Sequence, residues 1–140
     1  DLDLDGDQDV VSASAHDYGM WWHQQSAQDR RDFTENLIDS TFSQTHGVAF
    51  EDLNQDDLPD IITGKRFFAH NGKDPGGYET PVLFWFELKR DDRNVPYWVP
   101  HQIDNDSGVG LQVVVQDIDG NGSKDILIAN KKGVILFESY

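Results

Sequence analysis

The chain has 140 residues and no cysteine, so neither a disulfide framework nor a thiolate metal site can form. Hydrophobic residues make up 37% of it and aromatic residues 11%, which is enough for a packed core rather than a disordered tail. Its 11 basic and 26 acidic residues give a formal charge of −15, which argues against nucleic acid or an anionic membrane as a partner and favours cations or neutral ligands.

In chain order, the first predicted element is an acidic loop, DLDLDGDQDV, and the same pattern returns as DLNQDDLPDI and DIDGNGSKDI. The three stretches begin at Asp1, Asp52 and Asp117, and each reads D-x-[DN]-x-[DN]-[GD]-x-x-D before Val or Ile. Repeats of about 50 to 65 residues are typical of blades or of stacked supersecondary units.

Strands follow each acidic loop in the same order. The first loop precedes a short apolar strand (VVSASA), an aromatic strand (GMWWHQ) and a third strand (FTENLID); the second precedes IITGKRFF, VLFWFELK and WVPHQID; the third precedes ILIAN and GVILFE. Gly-containing runs, THGVAFED and GVGLQVVVQD, lead into the second and third loops. Short strands between polar turns, with no 3.6-residue period, predict an all-β fold.

This order predicts four-stranded β-propeller blades as the repeating unit, with three, four and three strands present. The repeats span approximately residues 1–44, 45–107 and 108–140 of a single domain, 1–140, and the first and last are incomplete. Three blades cannot close a propeller of the usual size, about four to eight blades. We therefore expect a segment of a larger propeller, or an open array completed by other copies.

The alternating acidic residues indicate a calcium site in each loop. Asp or Asn at positions 1, 3 and 5, Gly at 6 and a carboxylate at 9 resemble the first half of a helix-flanked calcium loop, in which a carbonyl near position 7 completes the oxygen cage. Mg²⁺ fits less well because it demands strict octahedral geometry. An Asx-rich turn without metal is the alternative. The predicted ligands of up to three structural Ca²⁺ ions are Asp1, Asp3, Asp5, Asp9, Asp52, Asn54, Asp56, Asp60, Asp117, Asp119, Asn121 and Asp125.

Two of these loops depart from the pattern. Asp57 replaces Gly at position 6 of the second loop, which is tolerable because Asp is among the residues that visit the left-handed region. Asn121 replaces a carboxylate in the third loop, so we expect a lower calcium affinity there.

The motif, its repeat length and the apolar strand after it resemble the FG-GAP or VCBS-like repeats of integrin-α-type β-propellers, and the resemblance covers nearly the whole chain. It implies a propeller with calcium loops between the first two strands of each blade. It also implies an extracellular, periplasmic or cell-surface location, and often adhesion or carbohydrate binding.

The second repeat carries a polar insertion, GKRFFAHNGKDPGG, between two of its strands. Long irregular loops on a rigid scaffold often bind ligands, although a solvated hairpin with glycine turns is the alternative. Trp22 and Trp85 fall in equivalent strands and are predicted to pack between blades, whereas Trp21 is expected to be exposed. The ligand-binding candidates are Trp21, Lys65, Arg66, His70 and Asp74.

Histidines also have regular places in the repeats. His46 stands just before a strand and His16 and His70 just after one, so they could gather at one rim of the blades. As an alternative function, general acid-base chemistry in a carbohydrate-active enzyme, such as a sugar dehydratase or lyase, would use His46, Lys65, His70 and Asp74. A single His is more often a hydrogen-bonded turn residue, so we favour a function without catalysis.

The leading hypothesis is a secreted, calcium-stabilised β-propeller module for binding or assembly. Its expected partners are calcium, a carbohydrate or another extracellular protein, and further copies of the chain at open blade edges. Asn105, in the sequon Asn105-Asp106-Ser107, is a candidate glycosylation site in a glycosylating host.

Overall fold

The structure is a computed structural model that describes all 140 residues, and ten β-strands form three antiparallel sheets. The first sheet contains β1 (Val10–Ala13), β2 (Tyr18–Gln25) and β3 (Phe33–Ser43). The second contains β4 (Thr45–Glu51), β5 (Asp60–Lys65), β6 (Leu83–Arg90) and β7 (Pro96–Asp104). The third contains β8 (Val113–Gln116), β9 (Asp125–Asn130) and β10 (Gly133–Phe137). The only helix is a short 3₁₀ turn, Ala69–Gly72.

Each strand pairs with the next one along the chain, so every sheet is an antiparallel meander. The all-β fold and the three, four and three strands per repeat are confirmed. The sheets are consistent with successive blade segments of a β-propeller and do not close into a ring. No helix is long and apolar enough to cross a membrane.

The second sheet is covered on both faces because its strands are apolar on both faces. In β5, all six residues are buried, and Ile61 and Ile62 point to opposite sides. Ile61 packs with Met20, Phe42 and Phe86 in a core between the first and second sheets. A consecutive apolar pair, rather than strict alternation, is what a strand between two layers requires.

A second core lies between the second and third sheets. Ile62 and Leu83 pack there against Val109, Ile126 and Ile128, all nearly inaccessible to solvent. The two cores share β5, so burial on one side of the second sheet holds the first sheet and burial on the other side holds the third. Each interface between sheets is thus a hydrophobic core in its own right.

Tryptophans contribute to these interfaces as predicted. Trp22 is 5% exposed and meets Trp98 of the second sheet edge-on, with ring centroids 5.9 Å apart. Trp85 packs against the other core. The expectation that Trp21 is exposed is wrong: it is partly buried because its ring lies over Gly19, on the opposite face of β2 from Trp22.

Successive connections alternate between the two ends of an antiparallel sheet. The three acidic loops lie at one end, here called the acidic end, where the Gln55 side chain donates to the carbonyl of Gly122 over 2.9 Å and so ties the second loop to the third. The β1–β2 turn, the insertion and the β9–β10 turn lie at the opposite end, here called the histidine end.

Backbone hydrogen bonds join the sheets at the histidine end. The carbonyl of Gln44, between β3 and β4, accepts a hydrogen bond from the N–H of Arg66. The N–H of Gln44 donates to the carbonyl of Asp17. Val109 donates to Lys65 over 2.8 Å in the equivalent position between the second and third sheets. The next residue, Gly110, lies against β9 of the third sheet, where a Cβ would be 1.8 Å from the carbonyl oxygen of Ala129.

Candidate functional site

The three acidic loops have the same backbone conformation. In each, the residues at positions 4 and 6 are both in the left-handed region. Their φ angles are 64° at Leu4 and 95° at Gly6, 61° at Gln55 and 67° at Asp57, and 79° at Gly120 and 92° at Gly122. A non-glycine residue there costs about 1–2 kcal/mol, so Leu4, Gln55 and Asp57 require compensation from neighbouring contacts. The left-handed position 4 has no signal in the first two loop sequences and was not predicted.

Side-chain carboxylates close each loop on its own backbone. At position 1, Asp1 accepts the N–H of Gly6, and Asp52 and Asp117 accept the N–H of the same position. At position 5, Asp5 accepts the N–H of Asp7 over 2.9 Å. The bond at position 5 is an Asx turn, whereas the bonds at position 1 span five residues, and both kinds satisfy backbone donors of the loop.

The aspartate at position 9 ties each loop to the sheet. One oxygen of Asp60 accepts the N–H of Leu53 in the loop, and the other accepts the N–H of Leu88 in β6 over 2.9 Å. Asp9 and Asp125 make the same pair of bonds, to Leu2 and Gln25 and to Ile118 and Ser139. The motif predicted a metal ligand at this position. It did not predict the bond to the sheet, because the partner of Asp60 in β6, Leu88, lies 28 residues further along the chain.

The same carboxylate titrates differently in two of the loops. Hydrogen bonds from the N–H groups of Ser139 and Ile118 lower the pKa of Asp125. At Asp60, which is fully buried as Asp125 is, desolvation raises the pKa even though N–H groups of Leu88, Trp85 and Leu53 oppose it.

Oxygen atoms converge in two of the three loops. One carboxylate oxygen from each of Asp1, Asp3 and Asp5, at positions 1, 3 and 5, lies within 4.8 Å of the others. Asp117, Asp119 and Asp125, at positions 1, 3 and 9, form a second such group. Hard oxygen donors at this spacing fit a calcium ion. In the second loop the Asn54 amide instead donates to Asp56 and to Glu87, so its carboxylates do not come together.

A different group of side chains meets at the histidine end. His16, in the β1–β2 turn, lies with its Nδ1 3.2 Å from Nδ1 of His70 and 3.1 Å from Oδ2 of Asp74. Nδ1 of His70 is 2.5 Å from the same oxygen. His46 is beside them, with its ring centroid 5.6 Å from that of His16. The predicted gathering of these three histidines at one rim is thus present in the structure.

The insertion reaches this position through an unusual backbone. Phe68, His70 and Asn71 all have positive φ, at 42°, 48° and 58°. Such non-glycine residues cost of order 1–3 kcal/mol each and mark places where surrounding contacts determine the backbone. The hydrogen bond that Asp74 accepts from His70, together with a weaker one from His16, lowers the pKa of its carboxyl group to about 2 and so keeps it ionised.

Lys65, a candidate for ligand binding and for catalysis, is enclosed beneath this cluster. It is 1% exposed, and its ammonium donates to Ser43 Oγ over 3.0 Å and to Gln44 Oε1 over 2.9 Å. Gln44 in turn donates from Nε2 to Asp74. Burial lowers the pKa of Lys65. A ligand at the surface would meet Asp74 and the histidines but not the ammonium of Lys65.

Arg66 lies between the cluster and a cleft. Its guanidinium faces Nε2 of His46 at 3.4 Å, and it lines a cleft of about 600 Å³ between the second and third sheets, together with Phe67, Leu111 and Lys131. Asn105, the candidate glycosylation site, is exposed in the turn after β7, also at the histidine end.

The sheets and loops are those of β-propeller blade segments. Residues 1–63 match the family model of the FG-GAP-like repeat. The matched part spans the first two acidic loops and the first sheet, and the match supports the FG-GAP-like repeat that the sequence motif predicted. No curated protein and no solved structure matches the chain.

Proposed function

We propose that this β-propeller repeat module is secreted, is stabilised by calcium, and serves binding or assembly. The observation that carries the proposal is the shared conformation of the three acidic loops, which are left-handed at positions 4 and 6 in every repeat. In the first two loops three of these residues, Leu4, Gln55 and Asp57, are not glycine, and a bound cation would compensate the cost of their conformation.

Calcium fits the donors of the first and third loops better than other ions. Both offer only oxygen atoms, which suits a hard cation. Asp1, Asp3 and Asp5 would hold one ion, and Asp117, Asp119 and Asp125 another. The second loop would require its Asn54 amide to turn its oxygen inward, so we expect it to be the weakest site. Extracellular calcium is millimolar, which would fill even weak loops and supports a secreted location.

The histidine end is the proposed binding surface. It carries the insertion, the cleft of about 600 Å³ and five of the 11 basic residues of the chain. The basic residues at this end are Lys65, Arg66, Lys73, Lys131 and Lys132. Arg66 and Lys131 on the cleft wall suit a ligand with carboxylate or hydroxyl groups, such as an acidic carbohydrate or an acidic protein segment.

A calcium titration of chelator-stripped protein tests the proposal, with the melting temperature and light scattering measured on the same samples. We expect calcium to raise the melting temperature because it removes the repulsion among clustered carboxylates. Asp5→Ala is expected to reduce this gain, and Asp56→Ala to reduce it less. Asp92→Ala, which removes an exposed carboxylate outside the loops, is the matched control and is expected to keep the full gain.

Each result of the titration has a defined meaning. Stabilisation without a change in size supports a calcium-stabilised binding module, and stabilisation with an increase in size supports assembly. A melting temperature that is the same in calcium and in chelator would refute the calcium sites and leave the loops as Asx turns.

The catalytic alternative has one observation in its favour, since the histidine end brings His46, His70 and Asp74 together. Lys65, its fourth member, is enclosed. An ultraviolet assay for unsaturated products from uronic-acid polymers would test it, and turnover lost in His70→Ala would establish a lyase.

A further inference from the structure

We propose that His16, His70 and Asp74 form a site for a divalent transition-metal ion such as Zn²⁺, separate from the acidic loops and at the opposite end of the sheets. The three donor atoms lie within 4.8 Å of one another. They come from two sheets, because His16 belongs to the turn after β1 and the other two belong to the insertion of the second sheet.

The donor atoms converge on one point. Nδ1 of His16 and Nδ1 of His70 face each other at 3.2 Å, and both face Oδ2 of Asp74. When both nitrogens are protonated, each N–H donates to this oxygen, and when neither is protonated, three lone pairs converge. A cation in the centre would be shared by all three.

The kind of donor selects the kind of metal. Two imidazole nitrogens and one carboxylate suit zinc, copper, nickel or iron, whereas calcium and magnesium prefer oxygen alone. The acidic loops have only oxygen donors. The two ends of the molecule would therefore bind two different classes of cation.

Neighbouring groups already orient the donors. The buried amide of Gln44 donates from Nε2 to Oδ2 of Asp74, the oxygen that faces both histidines. The ammonium of Lys65 donates to Oε1 of the same amide. Outer partners of this type fix the direction of a ligating carboxylate. The left-handed conformation of His70, with φ of 48°, turns the insertion back toward His16.

His46 is excluded from the ligand set, since its Nε2 faces the guanidinium of Arg66. The site would then have three protein ligands, one of which, His16, is 63% exposed in its side chain. Zinc sites with three protein ligands keep a position open for water or for a ligand oxygen. We infer that an oxygen of a bound ligand would complete this coordination.

The test is a calorimetric titration of the full chain with ZnCl₂ in millimolar calcium, which keeps the acidic loops from taking up zinc. We expect one equivalent of zinc to bind. His16→Ala and Asp74→Asn are each expected to weaken binding about tenfold or more. His23→Ala is the matched control, because His23 also has a carboxylate neighbour, Glu35 at 3.9 Å, and we expect it to bind zinc like the wild type.

Cobalt provides an independent measurement. We expect Co²⁺ to give ligand-field absorption bands in the wild type and in His23→Ala, and to lose them in His16→Ala. Because His16 is exposed, circular dichroism should show that its replacement leaves the fold intact. Zinc affinity unchanged in both site variants, or abolished by calcium, would overturn the proposal without affecting the calcium loops.

Discussion

Single aspartates determine how each acidic loop is attached to its sheet. Asp60 is the clearest case, because its side chain is buried and spans from Leu53 in the loop to Leu88 in β6. Both of its oxygens accept a backbone N–H, and neither donor has another way to be satisfied if the carboxylate is lost. The motif indicates Asp60 as a metal ligand, and the structure shows that its side chain also links the loop to the sheet.

We expect Asp60→Asn to destabilise the protein by about 2–3 kcal/mol even without calcium, because one amide NH₂ would face a buried N–H. Urea unfolding in chelator measures this loss. Asp57→Asn, in an exposed position of the same loop, is the control and should change stability by less than about 0.5 kcal/mol. Equal losses in the two variants would contradict the bridging role.

Lys65 gives a prediction for pH. Burial lowers its pKa in the folded protein below the ordinary lysine value of 10.5, although Glu79 and Asp74 oppose the shift. Between the two pKa values the unfolded chain binds more protons, so stability rises with pH toward 10.5 and is lost as pH falls through the lowered pKa. Relative to Lys65→Met, the wild type should gain stability from pH 8 to pH 10 in urea unfolding.

The control for this measurement is Lys73→Met, at an exposed lysine of the same insertion. The difference in the free energy of unfolding between this variant and the wild type should be nearly constant over the same pH range. A constant difference for Lys65→Met as well would show that Lys65 titrates normally in the folded protein.

At the scale of elements, β5 connects the three sheets because it is buried on both faces. Ile61 contributes to the core shared with the first sheet and Ile62 to the core shared with the third. Neither face of the strand is available to solvent, which explains why this strand has no alternation of polar and apolar residues.

Truncating either isoleucine should therefore cost stability on a different side of the second sheet. We expect Ile61→Ala and Ile62→Ala each to lose about 2–5 kcal/mol in denaturant unfolding. Ile61→Ala should also alter the fluorescence of Trp22 and Trp98, which meet across the first interface. Val134→Ala, at a 71% exposed position of β10, is expected to change little, and a similar loss there would contradict this account.

At the scale of the whole molecule, the three acidic loops gather many carboxylates at one end. The acidic loops lie at one end, while the insertion and the lysines of the β9–β10 turn lie at the other. With a formal charge of −15, repulsion within and between the loops opposes folding. Three Ca²⁺ ions would reduce that charge to −9.

We expect salt to stabilise the protein when calcium is removed. Raising NaCl from 0.1 to 1 M shortens the Debye length from about 10 to 3 Å, so carboxylates of different loops no longer repel one another. The melting temperature in chelator should rise by several degrees. The same salt step in calcium should have a smaller effect, and equal effects in both conditions would show that loop repulsion does not limit stability.

The sequence by itself determined the all-β class, the repeats, the strand order and the acidic loops, because each of these is encoded within a few neighbouring residues. Period-two strands, turn residues and the spacing of Asp1, Asp3 and Asp5 are local patterns that need no knowledge of distant contacts.

The repeat pattern predicted histidines at one rim, but only the tertiary structure decided which side chains are in contact there. His16 and His70 are 54 residues apart, and the insertion's backbone conformation brings them together. The burial of Lys65 and the second bond of Asp60 also depend on how neighbouring strands and sheets pack. These contacts join segments that are distant in the chain, and a local pattern carries no information about such a distance.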